Sequence, residues 1–328
     1  MKTMATDKYA VHGMKLSVSA SDAVRAGIAR RLTHFERLDD SERVDVQFHF
    51  RPDLEDVAPR GDLGRPVIAE GGCLVYYLEA TWDMVVELRG VARGHCNIRD
   101  GIVSISHRPE TGNDASLLSR LMFTVPFSEF CKAQGRYLIH SACLSFGGRG
   151  LLIAGASGAG KSTLTLALVR GGFQFLGDDT AMLCQREGRV AALAFPDEID
   201  LNQETANFFP ELAGFPWDQP LSSRGKCPVS PARIYGIVPG RDCIPEVLIF
   251  PKASPDHRST LAPISRNEAL LELLCNVVRT DPSLAQAHLD ILAAVVKQCR
   301  LHRLHTGRDF EELPALARAL LSSDSPAR

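Results

Sequence analysis

At 328 residues, the chain is long enough for about two domains, taking roughly 150 residues per domain. Hydrophobic residues make up 45 % and charged residues 23 %, the balance of a globular protein with a real core. A formal net charge of -2 gives no electrostatic pull toward nucleic acid or a membrane surface, so neither is an expected partner. Met1 to Leu16 hold no apolar stretch long enough for a secretory signal. No uninterrupted apolar run approaches the roughly 18 residues of a spanning helix, and the expected location is cytoplasmic. Nine cysteines are present, none of them in a Cys-x-x-Cys pair. An odd count argues against a disulfide framework, and His95-Cys96 alone cannot supply four zinc ligands, so buried, reduced thiols are expected.

Two regions with different grammar are expected, 1–134 and 135–328. The first reads as mixed α+β. Tyr9 to Ser19 looks like an opening strand, and Ala20-Ser21-Asp22 caps a helix with Val24, Ile28, Leu32 and Phe35 on one face. Arg25, Arg30 and Arg31 then form its solvated outer face. Arg43 to Phe50 alternates Val44, Val46, Phe48 and Phe50 with polar neighbours, as a half-buried strand does. Residues 52–72, rich in Pro, Gly and Asp, read as a loop. Strands follow around Leu74 to Ala80, Met84 to Val91 and Gly101 to Ser106, and then a helix from Ala115 to about Lys132.

From Gly135 the pattern predicts a strand over Arg136 to Phe146, a turn at 147–150 and a second strand over Leu151 to Ala154. A helix from Lys161 to Arg170 stops at Gly171-Gly172. Phe173 to Leu176 returns as a strand and ends in Gly177-Asp178-Asp179. Ala181 to Cys184 and Val190 to Phe195 flank a hairpin turn at Glu187-Gly188. Helical patterns occupy Ala269 to Val278 and Leu289 to Val296, then a short strand at Leu301 to His305 and a last helix near Phe310 to Leu321.

Gly155-Ala156-Ser157-Gly158-Ala159-Gly160-Lys161-Ser162 matches the full G-x-x-x-x-G-K-[ST] phosphate-loop pattern, between an apolar strand and a helix as the pattern requires. Glycines at 155, 158 and 160 let the backbone curl so that successive N–H groups face one anion site. The helix N-terminus adds its positive end. Lys161 is expected to reach the outer phosphates of ATP, and Ser162 to offer its hydroxyl to Mg2+. Thr163 supports the first helical turn. No ABC-type signature, Leu-Asp-Glu-Pro or Asn-Lys-x-Asp motif follows, which weighs against a transport ATPase and a GTPase. Two adjacent carboxylates, Asp178 and Asp179, end the next strand. One can orient magnesium while the other accepts a proton from an attacking hydroxyl. Asp178 is expected as the metal residue and Asp179 as the base.

Three segments carry a family resemblance: Gly135-Arg-Tyr-Leu-Ile-His140-Ser-Ala, Gly150 through Thr163, and Gly172-Phe-Gln-Phe-Leu-Gly-Asp-Asp179. Together they resemble the HPr serine kinase/phosphorylase superfamily, whose nucleotide core is shared with phosphoenolpyruvate carboxykinase. A weaker likeness continues through Ile244 to Phe250 and Glu268 to Asn276. The resemblance implies an α/β fold with a PEP-carboxykinase-like P-loop core, His140 beside the γ-phosphate, an aspartate base and a serine hydroxyl as acceptor. The Gly-rich, isoleucine-containing signature of the bifunctional enzymes is missing. Phe195-Pro-Asp-Glu-Ile-Asp-Leu201 and Arg224-Gly-Lys226 stand in its place, which turns the expectation away from HPr and from phosphorolysis. The pattern is closer to the HPr-kinase-like proteins of biosynthetic gene clusters, the lasso-peptide kinases among them. In that reading residues 1–134 recognise substrate.

Lys226, on a Pro/Ser/Gly-rich loop, is a candidate to close over the transferred phosphoryl group. Glu198 is read as a surface carboxylate. The expected activity is Mg-ATP-dependent phosphoryl transfer to a hydroxyl of a peptide or protein. The alternatives are a small-molecule kinase on the same core and a nucleotide-gated regulatory protein with slow ATPase activity. A homo-oligomer stays open.

Overall fold

The computed structural model describes residues 4–52, 63–70, 72–78, 81, 83–109, 114–215, 217, 226–277 and 282–323. It is mixed α and β with large sheets and divides into two compact units. One is Met1–Gln134 with Val278–Ala285, and the other is Gly135–Val277 with Gln286–Arg328. Among the described residues, no helix is long and apolar enough to cross a membrane.

The first unit has strands β1 (Thr6–Val11), β2 (Met14–Ser19), β3 (Glu36–Arg37), β4 (Val46–Arg51), β5 (Ile68–Glu70), β6 (Cys73–Leu78), β7 (Asp83–Leu88), β8 (Ala92–Asn97) and β9 (Ile102–His107). They form one sheet in the order β3-β1-β2-β4-β9-β8-β7-β6-β5. The single strand expected over Tyr9 to Ser19 is a hairpin. His12 and Gly13 take φ of 48° and 86°, which turns the chain so that Val11 faces Met14. Helix α1 (Asp22–Arg31) starts where the Ser21 hydroxyl accepts a hydrogen bond from Val24 N at 3.3 Å. It carries the chain between β2 and β4, which run parallel and need such a crossover. Its basic face is not wholly solvated: Arg31 is buried, and Arg25 pairs with Asp7 at 3.1 Å.

Three strands of this unit escaped the sequence pattern, the two-residue β3 among them. On β8 the buried positions are Ala92, Gly94 and Cys96, too small to stand out as an apolar alternation. Strand β5 lies inside the stretch expected to be a loop, of which residues 53–62 and 71 lie outside the described residues. The helix expected from Ala115 to Lys132 is broken into α2 (Asp114–Leu117), a π turn (Leu118–Met122) and α3 (Phe123–Ala133). Pro126 has no N–H to offer the Met122 carbonyl, so the regular ladder cannot run through this point. Phe123 packs on Phe48 at 4.9 Å between ring centroids and holds α3 against the sheet.

The second unit has strands β10 (Arg136–Ile139), β11 (Ser141–Phe146), β12 (Arg149–Ala154), β13 (Gln174–Gly177), β14 (Ala181–Arg186), β15 (Arg189–Leu193), β16 (Ile199–Leu201), β17 (Cys227–Val229), β18 (Asp242–Ala253), β19 (Thr260–Pro263) and β20 (Arg300–Thr306). Its helices are α4 (Lys161–Arg170), α5 (Gln203–Ala206), α6 (Pro231–Tyr235), α7 (Arg266–Leu274), α9 (Leu313–Ser322) and, from Gln286 onward, α8 (Pro282–Gln298). The order β10-β14-β15-β18-β12-β11-β13 makes β18 the organiser, although no strand was expected there. Its first residues pair with β15, and its body runs parallel to β12 on one side and β20 on the other.

Both faces of this sheet are covered, as parallel strands require. Leu151, Ile153, Val247 and Ile249 share a core with Leu164 and Leu168 of α4 and Ala317 of α9. The alternate residues Leu152, Leu248 and Phe250 share the opposite core with Leu273 of α7 and Val295 of α8. Burying each such Leu or Ile side chain stabilises the fold by about 1.5–3 kcal/mol relative to exposure.

The strand expected over Arg136 to Phe146 is broken at His140. Before it, β10 pairs with β14; after it, β11 pairs with β12 and β13. All nine cysteines are free; Cys275 is exposed and Cys184 half-buried, contrary to the expectation of burial throughout.

Candidate active site

Strand β12 delivers the chain to Gly155 at the carboxyl edge of the sheet, and α4 begins six residues later at Lys161. Gly155, Gly158 and Gly160 take φ of 151°, 84° and 95°, a curl that a residue with a Cβ adopts only under strain. Gly160 is the helix N-cap and brings no side chain to bond the first turn. The leading N–H groups of α4 have no intrahelical carbonyl to bond, so they remain available to an anion. Ser157 and Gly158 are exposed, Ala159 is half-buried, and Thr163 is half-buried within the first turn.

Lys161 is buried, and its ammonium donates to the loop's own carbonyls, Gly155 O at 2.8 Å and Ala156 O at 3.3 Å. Burial lowers its pKa, while the nearby charges of Asp179 and Asp178 act to raise it. The Lys226 ammonium adds to the lowering, which places that charge within electrostatic reach of Lys161. Lys226 directly precedes β17, and the pairing of Cys227 with Leu201 anchors it. Its sequence neighbours Arg224 and Gly225 lie outside the described residues.

Asp178 and Asp179 follow β13 but sit in different surroundings. Asp178 is 2 % exposed, with Oδ2 accepting a 2.7 Å bond from the Ser162 hydroxyl and Oδ1 buried without a hydrogen-bond partner. Burial pushes its carboxyl up to about 6, against the opposing pull of the Ser162 bond and of the nearby Thr165 hydroxyl. Asp179 is exposed, and its carboxylate Oδ1 lies 3.1 Å from His140 Nδ1. The same nitrogen lies 3.0 Å from the Asp179 backbone carbonyl.

His140 reaches this position because its neighbours belong to separate ladders. Ile139 pairs with Ala181, just past the aspartates, and Ser141 pairs with Ala154, just before the phosphate loop. The break in the expected strand therefore sets the imidazole against Asp179, one residue before the ladder that leads to the phosphate loop. His140 N also donates to Asn276 O at 2.7 Å, a support that no motif in the sequence signals. Thr165 was likewise missed: fully buried, it donates to Lys161 O at 3.0 Å, and its hydroxyl lies near enough to Asp178 to favour the ionised carboxylate. Its position four residues after the lysine is the signal that could have found it. Glu198 is half-buried, and its N–H bonds Asp197 Oδ1 at 2.8 Å.

The donor set suits a small, hard cation. A serine hydroxyl and a carboxylate with an orphaned oxygen are both oxygen ligands. Among the described residues, no three His, Cys, Asp or Glu side chains converge into a metal cage. Magnesium matches this sparse set, because it ordinarily takes one or two protein ligands and completes its shell with phosphate oxygens and water.

No protein-family model matches the chain. No curated protein matches it either. Among solved structures the chain is similar to the Hpr(Ser) kinase/phosphatase from Coxiella burnetii, at 18 % identity and a TM-score of 0.29. That match covers 56 % of this chain and 92 % of the other.

Proposed function

We propose that the second unit is a magnesium-ATP-dependent phosphotransferase, with a P-loop core of the type shared by HPr kinase and PEP carboxykinase. It delivers the γ-phosphoryl group to a hydroxyl, and the acceptor class is a serine of a peptide or protein. One observation carries the reading: the buried Asp178 carboxylate bonds the hydroxyl that follows the phosphate-loop lysine and keeps its second oxygen unpartnered. Few structural roles suit a carboxylate left in that condition, whereas a nucleotide-bound cation would complete it.

In this reading the loop N–H groups and the α4 N-terminus hold the phosphates. Lys161 offsets charge on the outer phosphates, exchanging its loop carbonyls for phosphate oxygens. Ser162 and Asp178 hold magnesium, which when bound neutralises charge between the outer phosphates. Asp179 and His140 line the acceptor side, and Lys226 supplies a further positive charge. The likeness of the three quoted segments to HPr kinase supports a hydroxyl acceptor, and the missing bifunctional signature favours an acceptor other than HPr.

The test is incubation of the full chain with γ-labelled ATP and magnesium in the presence of serine peptides, HPr, free amino acids and sugars. Mass spectrometry then locates the phosphate. Labelled peptide serine is the expected result. A labelled free amino acid or sugar would replace the protein acceptor with a small molecule, and efficient labelling of HPr would overturn the acceptor assignment. If magnesium ATP is neither bound nor consumed, the phosphotransferase reading fails altogether.

A further inference from the structure

We propose that the proton acceptor in this transfer is His140 Nε2, with Asp179 orienting the imidazole in place of acting as the base itself. The inference rests on the phosphotransferase reading above and deepens it.

His140 Nδ1 lies 3.0 Å from the Asp179 backbone carbonyl and 3.1 Å from Asp179 Oδ1. A backbone carbonyl has no hydrogen to give, so the hydrogen in that contact must sit on Nδ1. In the neutral ring Nε2 then holds the lone pair. The imidazole side chain is 38 % exposed, and among the described residues Nε2 has no hydrogen-bond partner. A lone pair thus stands unpartnered on a ring whose next residue, Ser141, pairs with Ala154 just before the phosphate loop, and whose backbone is fixed by Asn276 O at 2.7 Å.

Asp179 is already engaged by its contact with Nδ1. From there it holds the ring orientation and stabilises the imidazolium that proton uptake creates, as the carboxylate of a serine-hydrolase triad does. In the step itself the acceptor O–H proton passes to His140 Nε2. The acceptor oxygen forms its bond to the γ-phosphorus, and the bridging bond between the β- and γ-phosphates breaks with its electron pair leaving on ADP. The proton on His140 is released to solvent after product departs.

Two measurements test the inference, both on the full chain. Long-range proton–nitrogen NMR with labelled histidine, the signal assigned by its loss in His140→Gln, should show Nδ1 protonated in the neutral ring. An Nε2-protonated ring would overturn the inference whatever the enzyme does. The second measurement follows turnover of magnesium ATP with water as acceptor. His140→Ala should lose on the order of a hundredfold or more and recover on the order of tenfold with added imidazole, while retaining nucleotide binding. Asp179→Asn should lose less, because the Asp179 carbonyl still holds the tautomer. If imidazole fails to restore His140→Ala while formate restores Asp179→Ala, the carboxylate is the base and the inference falls. A wild-type chain that binds no ATP would instead sink the phosphotransferase reading, and the proposed step with it, even if the tautomer is as expected.

Discussion

The Ser162 hydroxyl donates to Asp178 Oδ2 across 2.7 Å and ties the first turn of α4 to the residue that follows β13. The other carboxylate oxygen is buried without a hydrogen-bond partner. A buried carboxylate in this condition opposes folding unless a proton or a cation joins it. On the proposed reading the site is therefore a place where stability, pH and magnesium are linked.

The sign of that linkage follows from burial. Asp178 titrates at about 6 in the folded chain, above the ordinary aspartate value of 3.8, so the folded state keeps a proton that the unfolded chain has lost. Stability falls as pH rises between these values and stays lower above them, by a full cost of about 3 kcal/mol. Asp178→Asn removes the charge. Without metal it should exceed wild type in stability by up to about 3 kcal/mol at pH 8, a gap that closes toward pH 4. Denaturant unfolding with a chelator at pH 4, 6 and 8 reads this directly. Magnesium at pH 8 should stabilise wild type and leave the variant unmoved. A gap that ignores pH would remove Asp178 from the linkage.

Lys161→Ala should reduce ATP turnover by about a hundredfold or more, the usual loss when a charge contact to a transferring phosphoryl group disappears. The variant also loses the two bonds from Nζ to Gly155 O and Ala156 O, so the loop's own brace goes with it. Turnover within about threefold of wild type would show that the lysine does not touch the phosphates.

Gly177→Ala should separate the geometry of the aspartates from their charge. A Cβ at Gly177 would lie 2.7 Å from Thr180 O and 2.8 Å from Phe195 O, both backbone atoms that cannot swing aside. Relief of that overlap should cost about 1–3 kcal/mol and shift Asp178 away from Ser162, so magnesium stabilisation should weaken as well. Gly214→Ala is the control: among the described residues, no atom lies within 4 Å of where its Cβ would stand, and it should stay within about 0.5 kcal/mol of wild type. Denaturant midpoints with and without magnesium compare the two variants.

Much of the second unit's local structure is legible in sequence because its signals are local. Gly158 and Gly160 take the positive φ that the phosphate-loop pattern requires, and Glu187-Gly188 turns the hairpin at φ of 51° and 77°. Helix α4 begins and ends at the expected residues. Where apolar alternation was diluted or the pairing was non-local, the pattern was silent. Strand β8 hid behind Ala92 and Gly94, and β18 was not seen as a strand although three other strands depend on it.

The amino-acid sequence alone determined the phosphate-loop curl, because only glycine adopts its backbone angles without strain, and the helix that follows it. It offered no physical ground for assigning the metal to Asp178 and the base to Asp179, which are chemically identical neighbours. Tertiary packing made that distinction: one carboxylate lies buried against Ser162, and the other lies exposed beside His140. Nor could it show that His140 interrupts a strand, since Arg136 to Phe146 is continuous in β-forming residues. The break exists because β10 and β11 pair with different partners, β14 on one side and β12 with β13 on the other, and such partners are set by contacts remote in sequence.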